Sequence, residues 1–202
     1  LKSNAMPTAV GPQIVGFPAE GRHLYIPNLA KLPSFFVKGQ QLNLKTLLQN
    51  EKLAQKFKDG VMVISRLAPV DYHRFHFPCN ARIQRIYLIK GDYKSVNPIA
   101  TRERIAILCE NKRIVSVLQS EDLGPFVMVE VGATCVGSIT QTAEVGRIYY
   151  KGEEKGFFSF GGSTVITIFQ KNKIRFADDL CENSVTGIEL YALMGDGMGI
   201  RI

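Results

Sequence analysis

The chain has 202 residues, 46% of them hydrophobic, and 25 Lys and Arg against 18 Asp and Glu, for a formal net charge of +7. That is enough apolar material for one good core, most simply a single domain over residues 1–202. No apolar run approaches the roughly 20 residues that span a bilayer, and the start lacks the apolar stretch of a signal peptide. The basic excess comes with no zinc-finger, RNA-binding or basic–aromatic groove signature, so nucleic acid is set aside. An anionic membrane surface is the better partner, because a basic residue gains about 1 kcal/mol beside acidic lipid.

Taken in chain order, the pattern predicts one helix within residues 44–57, where Leu44, Leu47, Leu48 and Phe57 form a helical stripe. Strands are predicted at 61–65, 81–90, 105–110, 114–119, 126–131, 145–150 and 165–169, each β-branched or aromatic and separated by turn residues. A second short helix opens at Asn97-Pro98 and covers 97–102. There is no internal repeat and no linker. The fold class is predominantly β (α+β), a compact β-sandwich or barrel-like domain with a few short helices.

Two segments carry chemistry. Gly161-Gly162-Ser163-Thr164 stands between two strand-like runs. Glycines permit backbone conformations that other residues avoid, so Ser163 sits at a tight junction of the kind often found at reacting sites. The alternative is an ordinary turn. The second segment runs from Arg66 to Pro78 and holds His73 and His76, two of the three histidines. Imidazole titrates near neutrality and suits proton transfer. His73, His76 and Cys79 could instead offer a metal two nitrogens and a sulfur, but nothing completes a closed tetrahedral set. Metal is therefore not expected. The four cysteines, Cys79, Cys109, Cys135 and Cys181, show no paired spacing and suit a reducing compartment.

Together these segments resemble the phosphatidylserine decarboxylase family. The resemblance also rests on Phe36-Val37-Lys38-Gly39-Gln40, Val96-Asn97-Pro98, Val131 to Ile139, Lys151-Gly152-Glu153-Glu154, Asp179-Leu180 and Gly187-Ile188-Glu189, in that order. It implies self-processing between Gly162 and Ser163, giving a β chain of residues 1–162 and an α chain of residues 163–202. The Ser163 hydroxyl attacks the Gly162 carbonyl, and Ser163 becomes a pyruvoyl group, which takes the substrate amine and accepts the electron pair left by carbon dioxide. By resemblance His76 is the base for cleavage and His73 the proton donor in decarboxylation. The implied substrate is phosphatidylserine, the implied location the cytoplasmic face of a membrane as a peripheral protein, and the implied assembly a homodimer. A relative that decarboxylates a free aromatic amino acid, or an uncut lipid-binding homologue, stays open.

One departure bears on maturation. The family orients its base with an aspartate in a Pro-Ala-Asp-Gly or Pro-Ala-Asp-Ser segment. Matched to Pro7-Thr8-Ala9-Val10-Gly11, that segment has Val10 or Gly11 where the aspartate belongs, and no carboxylate lies between Leu1 and Pro18. On this alignment self-cleavage should be slow, and an aspartate introduced at position 10 or 11 should speed it.

Overall fold

The computed structural model describes residues 7–34, 42–134, 138–159 and 161–202. The expectations at Phe36 to Gln40, Cys135 to Gly137 and Phe160 lie outside these residues. In chain order the elements are β1 (Ile14–Gly16), β2 (Gly21–Ile26), a 3-10 turn (Leu29–Ser34), α1 (Leu44–Leu48), α2 (Glu51–Lys56), β3 (Val61–Leu67), β4 (Arg74–His76) and β5 (Ala81–Ile89). Then come α3 (Pro98–Glu103), α4 (Ile107–Glu110), β6 (Arg113–Ser120), β7 (Gly124–Val131), β8 (Ser138–Gln141), β9 (Ile148–Tyr149), β10 (Glu154–Ser159) and β11 (Ser163–Phe169). The chain closes with β12 (Ile174–Phe176), α5 (Asp178–Val185), β13 (Leu190–Ala192) and β14 (Gly197–Arg201).

One large antiparallel sheet runs β13-β2-β3-β11-β7-β6-β5-β9, and two three-stranded sheets run β4-β10-β8 and β1-β14-β12. Strand alternation splits the core in two. Met62, Ile64, Ile166, Ile168, Val127 and Val129 face a layer containing Leu47, Leu48, Phe57, Leu108 and Cys109 from the short helices. Val63, Leu67, Val165, Phe169, Phe126 and Met128 face the other way, onto Phe75 and Phe158 of one small sheet and Val15, Phe176 and Met198 of the other. The large sheet is thus covered on both faces. Every residue of β3 and of β11 is buried, which is why these strands read as continuous apolar runs.

The predominantly β, α+β expectation holds, and three local expectations are corrected. The 44–57 helix is two helices: Gln49 takes a left-handed φ of 43°, and the Asn43 and Asn50 side chains cap α1 and α2 separately. Residues 105–110 form the helical turn α4 rather than a strand. β5 and β6 already pair with each other, and the short apolar run between them serves the helix-side core with Ile107, Leu108 and Cys109. A run of five apolar residues closed by Glu110 fits either form on periodicity. Of 145–150 only Ile148–Tyr149 pairs; Gly146 turns the chain at φ +90° and Val145 is 56% exposed.

A buried ion pair ties a small sheet to the large one. Lys155 of β10 and Glu130 of β7 are both wholly inaccessible, 2.9 Å apart. Gln141 of β8 accepts from Lys155 Nζ at 2.7 Å and donates to Glu130 Oε2 at 2.9 Å, so every charged atom is met. Burial pulls the Lys155 ammonium below its ordinary pKa, opposed by Glu130. Removing one member strands the other in a dry interior. Lys155→Met should therefore cost about 3–5 kcal/mol in denaturant unfolding, and Lys155→Met combined with Glu130→Leu should cost clearly less.

Candidate active site

Ser163 opens β11, opposite Leu67 of β3, and its neighbour Thr164 pairs with both Arg66 and Val131. The chain enters this strand through Gly161, whose φ of +86° favours glycine. Ser163 is completely buried, and among the described residues its hydroxyl has no hydrogen-bond partner. An unpaired buried hydroxyl costs about 1–3 kcal/mol, and such orphans call for an explanation in chemistry or structure. Gly162 is uncrowded: a Cβ there would meet only the Leu67 carbonyl at 3.6 Å and Val96 Cγ2 at 3.9 Å. Val96, from the Val-Asn-Pro segment, thus lies against the glycine pair.

His73 reaches the same junction. Its Nε2 lies 2.5 Å from the Gly161 carbonyl oxygen and its Nδ1 2.6 Å from the Asp71 carbonyl oxygen. Carbonyls only accept, so the ring satisfies both when each nitrogen carries a proton. The Asp71 carboxylate faces elsewhere, accepting from Ala68 N at 2.7 Å and Arg22 Nη1 at 3.0 Å. Asp71 therefore shapes the His73 loop and does not orient His76.

His76 sits where three segments converge. Its amide donates to the Pro18 carbonyl at 2.7 Å, Phe77 N donates to Glu153 O, and Gly152 N donates to Phe77 O. Its Nδ1 donates to the Gly152 carbonyl at 2.9 Å. That bond leaves Nε2 with a lone pair, toward which the Tyr72 hydroxyl donates at 3.3 Å, and the two rings stack. Gly152 suits this place because its φ is +83° and a Cβ would collide with Thr8 at 2.4 Å. Lys151 secures the loop before it, donating to the carbonyls of Ala9, Gly11 and Ile14. Burial lowers the His76 pKa below its ordinary value, with the Gly152 bond and then Glu154 opposing.

The structure overturns the alignment that left the family aspartate without a counterpart. Val10 is 92% exposed, with no place beside His76. The segment laid against His76 is Pro18-Ala19-Glu20-Gly21, which differs from Pro-Ala-Asp-Gly by one methylene. Its glycine is required by close approach, since a Cβ on Gly21 would lie 2.4 Å from the Arg66 carbonyl. The misalignment started from Pro7 and passed over a better match eleven residues on. In this structure Glu20 Oε1 accepts from the Tyr191 hydroxyl at 3.0 Å rather than from His76, while its charge helps raise the Tyr72 pKa, mainly a burial effect.

His73 and the glycine pair are brought together directly; His76 is turned to Gly152 and Tyr72. No group of three metal-ligating side chains converges among the described residues, and the Cys79 thiol, pushed up to about 12 by burial, is no ready ligand. The third histidine, His23, is a core residue bonded to Ser65 at 2.9 Å and held neutral by burial, with a pKa lowered to about 3. Arg66 clasps Glu189 through two bonds of 2.9 and 2.5 Å, joining the Arg66 and Gly187-Ile188-Glu189 motifs across 123 residues.

A family model described as phosphatidylserine decarboxylase matches residues 1–192. The chain belongs to the phosphatidylserine decarboxylase family. Among its relatives, proteins named phosphatidylserine decarboxylase proenzyme are 45% identical in Chlamydia pneumoniae and 42% in Fusobacterium nucleatum, each over 98% of this chain and 66% of the relative. A Clostridium botulinum relative of the same name is 41% identical over the whole chain and 68% of its own length. The chain thus spans about two thirds of the relatives it matches.

A base in the position of His76 must be neutral to accept a proton. Because burial lowers its pKa, the rate of any His76-dependent backbone cleavage should be flat above neutrality and fall only below pH about 6.5, the unperturbed imidazole value. Gel-resolved cleavage across pH 4.5–9 checks this; an acid limb centred above 6.5 contradicts it.

Proposed function

We propose that this chain is the core of a pyruvoyl-dependent decarboxylase that converts phosphatidylserine to phosphatidylethanolamine after cutting itself between Gly162 and Ser163. The observation that carries the reading is the buried, unpartnered Ser163 hydroxyl at the head of β11, directly after an open Gly162 and a Gly161 carbonyl bound by His73. The relatives' names, proenzymes of this activity, support it.

In this reading the Ser163 oxygen adds to the Gly162 carbonyl carbon, its proton passes to His76 Nε2, and the amide becomes an ester. Loss of the Ser163 α-proton then expels the Gly162 carboxylate by β-elimination, and hydrolysis of the resulting dehydroalanine releases ammonia. A hydroxyl needs such a base to become a nucleophile. Glu20 supplies the negative charge that steadies the imidazolium, in the place of the family aspartate. The pyruvoyl group formed from Ser163 serves as the electron sink for loss of carbon dioxide. Among the described residues the serine hydroxyl has no bond to give up, and Gly162 presents no side chain against it. His73, with an N–H on the Gly161 side, is the proton donor for the product carbon.

The net charge of +7 supports attachment to an anionic membrane surface, peripherally and on a cytoplasmic face. Among the described residues no helix is long and apolar enough to cross a membrane. Vesicle flotation and sedimentation test this attachment and the proposed homodimer.

Mass spectrometry of decarboxylating protein should find one fragment ending at Gly162 and one beginning with pyruvoyl; activity from an uncut chain would overturn the reading. Ser163→Ala should remain a single chain. His76→Ala should block cleavage, while His73→Ala should mature and then turn over at least a hundredfold more slowly. Glu20→Ala should slow cleavage by tenfold or more and Glu20→Asp should retain most of the rate, whereas Val10→Asp should change nothing.

A further inference from the structure

We propose that Tyr191 is a positioning residue that holds the Glu20 carboxylate away from His76 in the uncut chain and thereby restrains self-cleavage. The inference rests on the reading of Glu20 and His76 given above.

Glu20 immediately precedes β2, and β13 pairs with β2 so that Tyr191 lies opposite Arg22. The Tyr191 hydroxyl donates to Glu20 Oε1 at 3.0 Å. That bond is the main reason its phenol titrates above the ordinary value. The ring is fixed from the other side: the Arg22 guanidinium lies 5.4 Å from its centroid and is itself paired with Asp71 at 3.0 Å. Meanwhile the Pro18 carbonyl, two residues before Glu20, is bonded to the His76 amide. The backbone therefore brings Glu20 to the base, and the side chain is turned off it.

The His76 ring nitrogens are met by the Gly152 carbonyl and the Tyr72 hydroxyl. The Glu20 charge is felt by Tyr72, so a modest turn of a long, partly exposed side chain would bring the carboxylate toward the imidazole edge. Glutamate has the reach to make either contact. While Tyr191 holds it, the imidazolium formed as Ser163 gives up its proton gains less from that charge. Glu20 and His76 belong to residues 1–162 and Tyr191 to 163–202, so the restraint spans the proposed cut.

The test is the first-order cleavage rate of freshly refolded Tyr191→Phe, which keeps the half-exposed ring and its Arg22 contact and loses only the hydroxyl. The rate should rise roughly three- to tenfold, the scale of one ordinary hydrogen bond, since this one is half-exposed to solvent. The acid limb of the pH profile should move upward, because a nearer carboxylate favours the imidazolium in a setting otherwise made by Tyr72, Arg74 and Glu154. An unchanged or slower rate overturns the proposal. So does acceleration that survives in the Glu20→Gln, Tyr191→Phe double variant, since the effect would then not run through Glu20. If Glu20→Gln alone cleaves like the parent, the reading of Glu20 itself falls, whatever Tyr191→Phe does.

Discussion

Everything at the candidate site depends on β11 having no free side. It is paired with β3 from Ser163 and with β7 from Thr164, and it is covered on both faces. A strand so placed cannot shift register without unseating two ladders and two cores. Its first residue is Ser163, so that side chain inherits the rigidity of the sheet. The freedom is concentrated in the two glycines before it, one left-handed and one uncrowded. Rigid on one side and permissive on the other, the junction leaves its conformational freedom in the peptide units just before Ser163.

The histidines are held mainly by backbone. Both His73 nitrogens meet carbonyls, and His76 Nδ1 meets another. A carbonyl orients a ring and sets its tautomer as a carboxylate does, but with a weaker bond and no full charge to stabilise the protonated form. The division of labour follows: the Gly152 carbonyl sets which His76 nitrogen keeps its lone pair, while carboxylates act at longer range. The Lys151-Gly152 pair matters for the same reason. The lysine gathers three carbonyls of the 9–14 loop, and the glycine lets that loop pass close enough to present its oxygen.

Much of this was legible in the sequence. The long strands announced themselves because a strand buried on both faces is mostly apolar and β-branched, as residues 61–64 and 165–169 are. Asn97-Pro98 opened a helix as its capping chemistry requires. Residues 105–110 misled because five apolar residues and a glutamate carry no decisive period, and Gln49 hid a break that depends on one left-handed residue. Glu20 was missed for a different reason. Pro18-Ala19-Glu20-Gly21 is readable in the sequence, but its glutamate in place of aspartate hides the match, and the His76 amide bonded to the Pro18 carbonyl shows that this segment lies beside His76. Tyr191 had no local signal at all, because its partner is 171 residues away.

The interleaving of residues 163–202 with the rest has a thermodynamic consequence. β11 lies between β3 and β7, β13 extends β2, β14 is sandwiched by β1 and β12, Glu189 is clasped by Arg66, and Arg201 pairs with Asp122. Once a backbone bond at the head of β11 is opened, the same contacts persist, but the chain no longer supplies the high local concentration that assembled them. Folding of the uncut chain is unimolecular; reassembly of the two pieces would be bimolecular, with a midpoint that depends on protein concentration. The molecule would then be a one-way object, woven while continuous and afterwards kept together by the slowness of unravelling its central strand.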